Sequence, residues 1–146
     1  MFHSITIKII FLLFITSPNF VTPKSCWFTH KIHMYVLSQL PYNSDKLEIH
    51  CASKNNDFAH QYLNANEVFH WQFCNNVWHT TKFFCHFWWE SKERSFEVFN
   101  DQDYCINDGG EVPYETRRCV WAVFDCGFYL GYFNGSEIVL NKYMDW

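Results

Sequence analysis

Two cysteine–histidine pairs could do chemistry: Cys85–His86 inside FFCHFWW and, in reverse order, His50–Cys51 inside LEIHCAS. Thiolate beside imidazole is the donor set of a zinc site, or a nucleophile with its base. Each pair lies in a run that alternates with period two, the mark of a strand, where neighbours point to opposite faces. One small ion therefore cannot reach both members. Neither run offers the C-x2–4-C or H-x3–5-H spacing of structural zinc, and Cys119 and Cys126 are too far apart to supply it. A nucleophilic thiol needs a loop or helix N-terminus that lowers its pKa. Cys51 instead shares a face with Leu47 and Ile49, and Cys85 with Phe83, Phe87 and Trp89. G-x-S-x-G and H-E-x-x-H are absent and the acids are scattered over turns, so a secreted hydrolase has no visible machinery. No catalytic residue, metal ligand or cofactor is expected.

The elements that position these residues are strands. With 146 residues, 49% hydrophobic and 21% aromatic, the chain is long enough for one core and too apolar for disorder. Ile32, Met34 and Val36 share a phase, as do Phe69, Trp71 and Phe73, then Phe96 and Val98, then Cys119, Trp121 and Val123; a last strand is read in GFYLGYF. LPYNSD, SKNND, CNN and DGG supply the turn chemistry between them. The expected fold is all-β: a small, disulfide-stapled antiparallel β-sandwich of about seven or eight strands. DFAHQYL is ambiguous between a helical turn and a strand.

Lys8 followed by IIFLLFI, with no further charge before Lys24, reads as a secretory signal over residues 1–25. The run is short of the ~20 apolar residues that span a bilayer, so no transmembrane segment is expected, and no later strand pairs in an obvious way with a first strand here. Residues 26–146 form the secreted, extracellular domain. Cleavage removes Lys8 and Lys24 and takes the net charge from −4 to −6, which argues against nucleic acid and against polybasic membrane binding. In an oxidising compartment core-facing cysteines pair. Cys51, Cys85, Cys105 and Cys119 allow three connectivities; Cys51–Cys119 with Cys85–Cys105 is favoured, because the first joins core strands far apart in sequence. Cys26, Cys74 and Cys126 cannot all pair in one chain, which leaves a monomer with a free thiol or a disulfide-linked dimer.

His33, His50, His70 and His86 fall on outward phases, as half-exposed sheet histidines or as a pH-sensing or weak metal patch. Outward Phe84 and Trp88 are candidate carbohydrate-stacking rings. Asn134, in NGS, is a glycosylation acceptor. The longest loop, residues 100–116, is the candidate partner-binding segment. It carries Asp101, Asp103, Asp108, Glu111 and Glu115 with Tyr104 and Tyr114, suited to a basic patch on a cell-surface receptor. The Ser53–Asp57 turn supports it, and Cys105 anchors it to the Cys85 strand.

LEIHCASKNNDFAHQYL, HMYVLSQLP, FHWQFCNNVWHTTKFFCHFWW, SFEVFN and CVWAVFDCGFYL together resemble the plant self-incompatibility protein S1 family, the S-protein homologues, in the right order over nearly all of residues 26–146. Asn55, Asn56, Phe58–Ala59 and Cys126 depart from that pattern. The resemblance implies a small secreted β-sandwich with two disulfides. It also implies a recognition or signalling ligand, in some members a female self-incompatibility determinant acting on a pollen receptor. A carbohydrate-binding or defence module is the alternative.

Overall fold

The computed structural model describes residues 4–8, 25–108 and 110–146. Their ten strands are β1 (Ser4–Lys8), β2 (Lys31–Ser38), β3 (Leu47–Ala52), β4 (Asp57–Leu63), β5 (Val68–Cys74), β6 (Phe83–Trp89), β7 (Lys92–Phe99), β8 (Arg118–Phe124), β9 (Gly127–Asn134) and β10 (Glu137–Met144). They form a six-stranded sheet, β1-β10-β9-β8-β2-β5, and a four-stranded sheet, β4-β3-β6-β7. All pairings are antiparallel except β2 with β8. DFAHQYL is a strand, and EIVLNKYM adds another that the alternation count omits.

Period two explains how the sheets face each other. Ile32, Met34 and Val36 of β2, with Trp71 of β5 and Trp121 of β8, meet Ile49 of β3 and Phe83 and Phe87 of β6 in one apolar core. Trp121 is fully buried, and its indole N–H donates to the Val98 carbonyl at 2.8 Å, tying β8 to the opposite sheet. The hairpin from β8 to β9 needs a glycine at 127. Its φ is +142°, and a Cβ there would stand 2.4 Å from the Met144 carbonyl oxygen.

Simple alternation fails in β8 and β9, which are buried on both faces. Val120, Ala122, Tyr129, Ile138 and Leu140 form a second apolar cluster, in the opposite phase from Trp121. The N-terminal strand also departs from expectation, since β1 pairs with β10 from Ser4↔Asn141 to Lys8↔Glu137. The rest of the segment read as a secretory signal, residues 1–3 and 9–24, lies outside the described residues.

The cysteine pairing is corrected. Neither Cys51–Cys119 nor Cys85–Cys105 forms; the bridges are Cys51–Cys85, Cys105–Cys119 and Cys26–Cys74. The reason is register. Strand β3 lies beside β6, with Cys51 directly opposite Cys85, so the inward cysteines meet within one sheet and leave Cys105 for Cys119. Cys126 is the free, exposed cysteine among the described residues, with its sulfur 3.6 Å from the Tyr129 hydroxyl.

The outward histidines divide between the two outer faces. His33 Nδ1 lies 3.2 Å from His70 Nε2 on the six-stranded sheet, and Tyr35 stacks on His70 at 4.5 Å. Burial, helped by Arg118 and Lys31 for His33 and by the neighbouring His33 and Arg118 for His70, lowers both pKa values. His50 and His86 belong to the four-stranded sheet, where His60 joins them.

Candidate functional site: the loop-bearing end of the sandwich

Registers place four loops at one end of the molecule. Lys31 opposes Cys74 and His33 opposes Arg118, so β2 starts where β5 ends and β8 starts. Ala52 opposes Phe84 and Phe83 opposes Phe99, so the Ser53–Asp57 turn lies beside the exit of β7. The side chain of Asn75 donates to Gln102 Oε1 at 3.4 Å, and the Arg117 guanidinium donates to the Gln102 carbonyl. These bonds join the ends of the two sheets.

The loop spanning 100–116 is anchored to the domain at several described positions. Cys105, Ile106 and Val112 are buried and act as its feet. Cys105, at φ 65°, is bridged to Cys119; the loop is anchored to β8, not to the Cys85 strand. Asp101 is not a free contact charge, because its Oδ1 accepts from the Asp103 and Tyr104 amides at 2.8 and 2.9 Å, an Asx turn. Asp103 is half-buried, and its carbonyl accepts the Thr116 amide at 3.2 Å. What the loop presents is aromatic. Tyr104 and Tyr114 are 42% and 65% exposed, with ring centroids 5.8 Å apart. Glu115 is exposed near this pair in sequence. Asp108 and Glu111, also exposed, belong to the flank facing β10: the Asp108 charge helps raise the Tyr143 pKa after burial, and the Glu111 carbonyl accepts from Asn141 at 3.2 Å.

Sequence reasoning missed the larger apolar feature at this end. Trp27 and Phe28 are each 86% exposed and Trp78 is 81% exposed. The Cys26–Cys74 bridge joins their two segments. Asn76 shapes the turn before β6: its side-chain oxygen accepts the Thr80 amide at 2.9 Å, and its own amide donates to Thr81 Oγ1 at 3.1 Å. Large rings this exposed are uncommon on a soluble surface. A cysteine immediately before WF and another just before NNVW were the available signal.

Asn134 ends β9 at the same end, since Val120 opposes Gly131. It is exposed, beside the tight turn at Gly135 with φ 65°. If the sequon is used, glycosidase treatment of plant-expressed protein lowers its mass by one N-glycan, and an unchanged mass shows it unoccupied. Phe84 is 49% exposed, whereas the Trp88 ring is already stacked on His86 at 3.8 Å and on His60 at 5.3 Å. Its faces are poorly placed to receive a sugar. Cys51 and Cys85 are consumed in a bridge, and among the described residues no three His, Cys, Asp or Glu side chains are gathered as a metal site.

Residues 33–146 match the model of the plant self-incompatibility protein S1 family. The chain belongs to that family. S-protein homolog 18 of Arabidopsis thaliana is 34% identical over 84 residues, 56% of this chain and 57% of the relative. Self-incompatibility protein S1 of Papaver rhoeas is 29% identical over 111 residues, 76% of each. The chain thus spans little more than half the length of S-protein homolog 18. A solved structure, from a family of self-incompatibility protein homologues described as small, highly stable, secreted plant proteins, shares the fold. Its TM-score is 0.52 at 19% identity, over 80% of this chain and 97% of the other. Cys26, Trp27 and Phe28 precede the matched residues, so one partner of the third bridge lies outside the family match.

Proposed function

We propose that this S-protein homologue is a secreted, non-catalytic extracellular ligand, released by cleavage near Ser25, that binds a cell-surface receptor protein through the loop-bearing end of its sandwich. Mating recognition between pollen and pistil is the role that family membership favours. The observation that carries this reading is the concentration of exposed rings on pinned loops: Tyr104 and Tyr114 on the segment held by Cys105–Cys119, and Trp27, Phe28 and Trp78 beside Cys26–Cys74. Rings held by bridges lose little conformational entropy on binding, and Tyr and Trp dominate interface hot spots. Charge is the lesser part, because Asp101 is spent inside the loop and leaves Asp108, Glu111 and Glu115 as the exposed acids. The protein acts as a monomer, and the exposed Cys126 is where a disulfide-linked dimer would form.

The test is saturation binding of labelled protein to intact cells of the tissue that responds to it. Tyr104→Ala with Tyr114→Ala weakens binding at least tenfold, since two hot-spot rings are each worth about 1–2 kcal/mol, and leaves the melting temperature within a few degrees. Unchanged binding by the double variant would remove the loop from the interface.

A further inference from the structure

The outer face of the four-stranded sheet is a second built surface. Its register aligns two rows across the strands. His60 opposes His50, and His50 opposes His86; in the next row Tyr62 opposes Glu48, Glu48 opposes Trp88, and Trp88 opposes Glu93. Every imidazole has a carboxylate: His50 Nε2 lies 2.6 Å from Asp57, His60 Nδ1 2.7 Å from Glu48, and His86 Nε2 3.1 Å from Glu93. The rings also stack in series, His50 on His60 at 4.7 Å, His60 on Trp88, and Trp88 on His86. Sequence reasoning had no access to this array, because His60 sits in the segment of ambiguous structure and the rows need a register.

We propose that this face docks a cationic, arginine- or lysine-rich segment of a partner protein, and that protonation of its three histidines releases that segment. The argument for the occupant is charge complementarity beside exposed apolar surface. Strand β3 contributes Glu48, β4 contributes Asp57, and β7 contributes Glu93 and Glu97, with Lys82 as the cation ion-paired to the face, 3.9 Å from Glu97. Lys54 lies in the rim turn. Lys92 sits instead over the Trp89 ring, and Arg94 takes the opposite phase, across from Phe87. Tyr62 and Phe84, 56% and 49% exposed, provide π surface for guanidinium or ammonium groups. While the imidazoles are neutral the carboxylates dominate, and Asp57, held ionised mainly by its bond to His50, stays charged well into acid. Histidine is the side chain whose ordinary charge change falls between about pH 5 and 8. Once His50, His60 and His86 are charged, three positive charges offset most of the acids, and each carboxylate is committed to its own imidazolium. A cationic segment then loses the net attraction that holds it.

This face adjoins the loop-bearing end at Asp57 and Phe84 but includes none of the rings assigned to recognition there, so the two are tested apart. The probe is an octa-arginine peptide titrated into the secreted protein at about pH 7.5 and about pH 5, bracketing the histidine range. Binding is expected to be at least about tenfold tighter at the higher pH, a difference of about 1.4 kcal/mol. The peptide should shift the Trp88 indole N–H resonance. Glu48→Gln with Glu93→Gln, both at partly exposed side chains, should cut binding about tenfold, while Glu111→Gln with Glu115→Gln on the loop leaves it unchanged. His50→Gln, His60→Gln and His86→Gln together should keep binding at the higher pH and abolish the pH dependence. Equal binding at both pH values, loss of binding only in the loop variant, or an indole resonance that moves with neutral oligosaccharides but not with the peptide would each overturn the proposal. Tyr104→Ala with Tyr114→Ala should leave all of these readouts unmoved.

Discussion

Replacing Cys51 and Cys85 together by alanine is expected to lower the unfolding free energy by about 4 kcal/mol, read from urea unfolding without reductant. The bridge spans a sequence separation of 34 and joins adjacent central strands at positions 1% and 0% exposed. The stabilisation follows from the entropy that the closed loop removes from the unfolded chain. Against a domain stability of about 5–15 kcal/mol that is a large fraction. Losing Cys105–Cys119, separation 14, should cost about 3 kcal/mol by the same model and should also free the foot of loop 100–116. Cys119→Ala alone must leave the Cys51–Cys85 peptide intact in non-reducing peptide maps. A Cys51 fragment that changes partner in that variant would contradict the register.

The second large effect is at Trp121. Removing a fully buried indole, Trp121→Ala, should cost about 3–5 kcal/mol through lost burial and the cavity left behind. Trp121→Phe separates packing from polarity. It keeps most of the ring volume and deletes the donor to the Val98 carbonyl, leaving a buried acceptor unpaired at about 1–3 kcal/mol. If Trp121→Phe proved as stable as the parent protein, the bond from β8 to the opposite sheet would contribute nothing measurable.

Seven strands and the inward set around Trp121 were legible because half-buried antiparallel strands write their burial into every second residue. Legibility stopped where that condition stopped. In β4 most side chains are exposed or half-exposed, so DFAHQYL carries no alternation to read. β8 and β9 were readable as strands, but beyond Arg118 both of their faces are buried, so the second cluster of Val120, Ala122 and Tyr129 left no polar alternation to reveal it. The cysteines were rightly assigned to bridges and wrongly paired, because which strands are neighbours is a property of topology. Cys51 and Cys85 gave their phase, while only the β3–β6 register makes them partners. The candidate loop was found by its length and composition. That Asp101 would turn inward to cap its own turn, and that Trp27, Phe28 and Trp78 would join the same end, depended on a bridge between segments 48 residues apart.

The central claim is that recognition resides at the bridged, loop-bearing end. The most direct measurement is an exchange of residues 100–116 for the corresponding loop of another S-protein homologue, with Cys105 kept, followed by saturation binding to cells responsive to each parent. The account predicts that the chimera loses at least tenfold in affinity for its original target, about 1.4 kcal/mol or more, with its thermal stability within a few degrees of the parent. Full-strength binding to the original target by a correctly bridged chimera would contradict it.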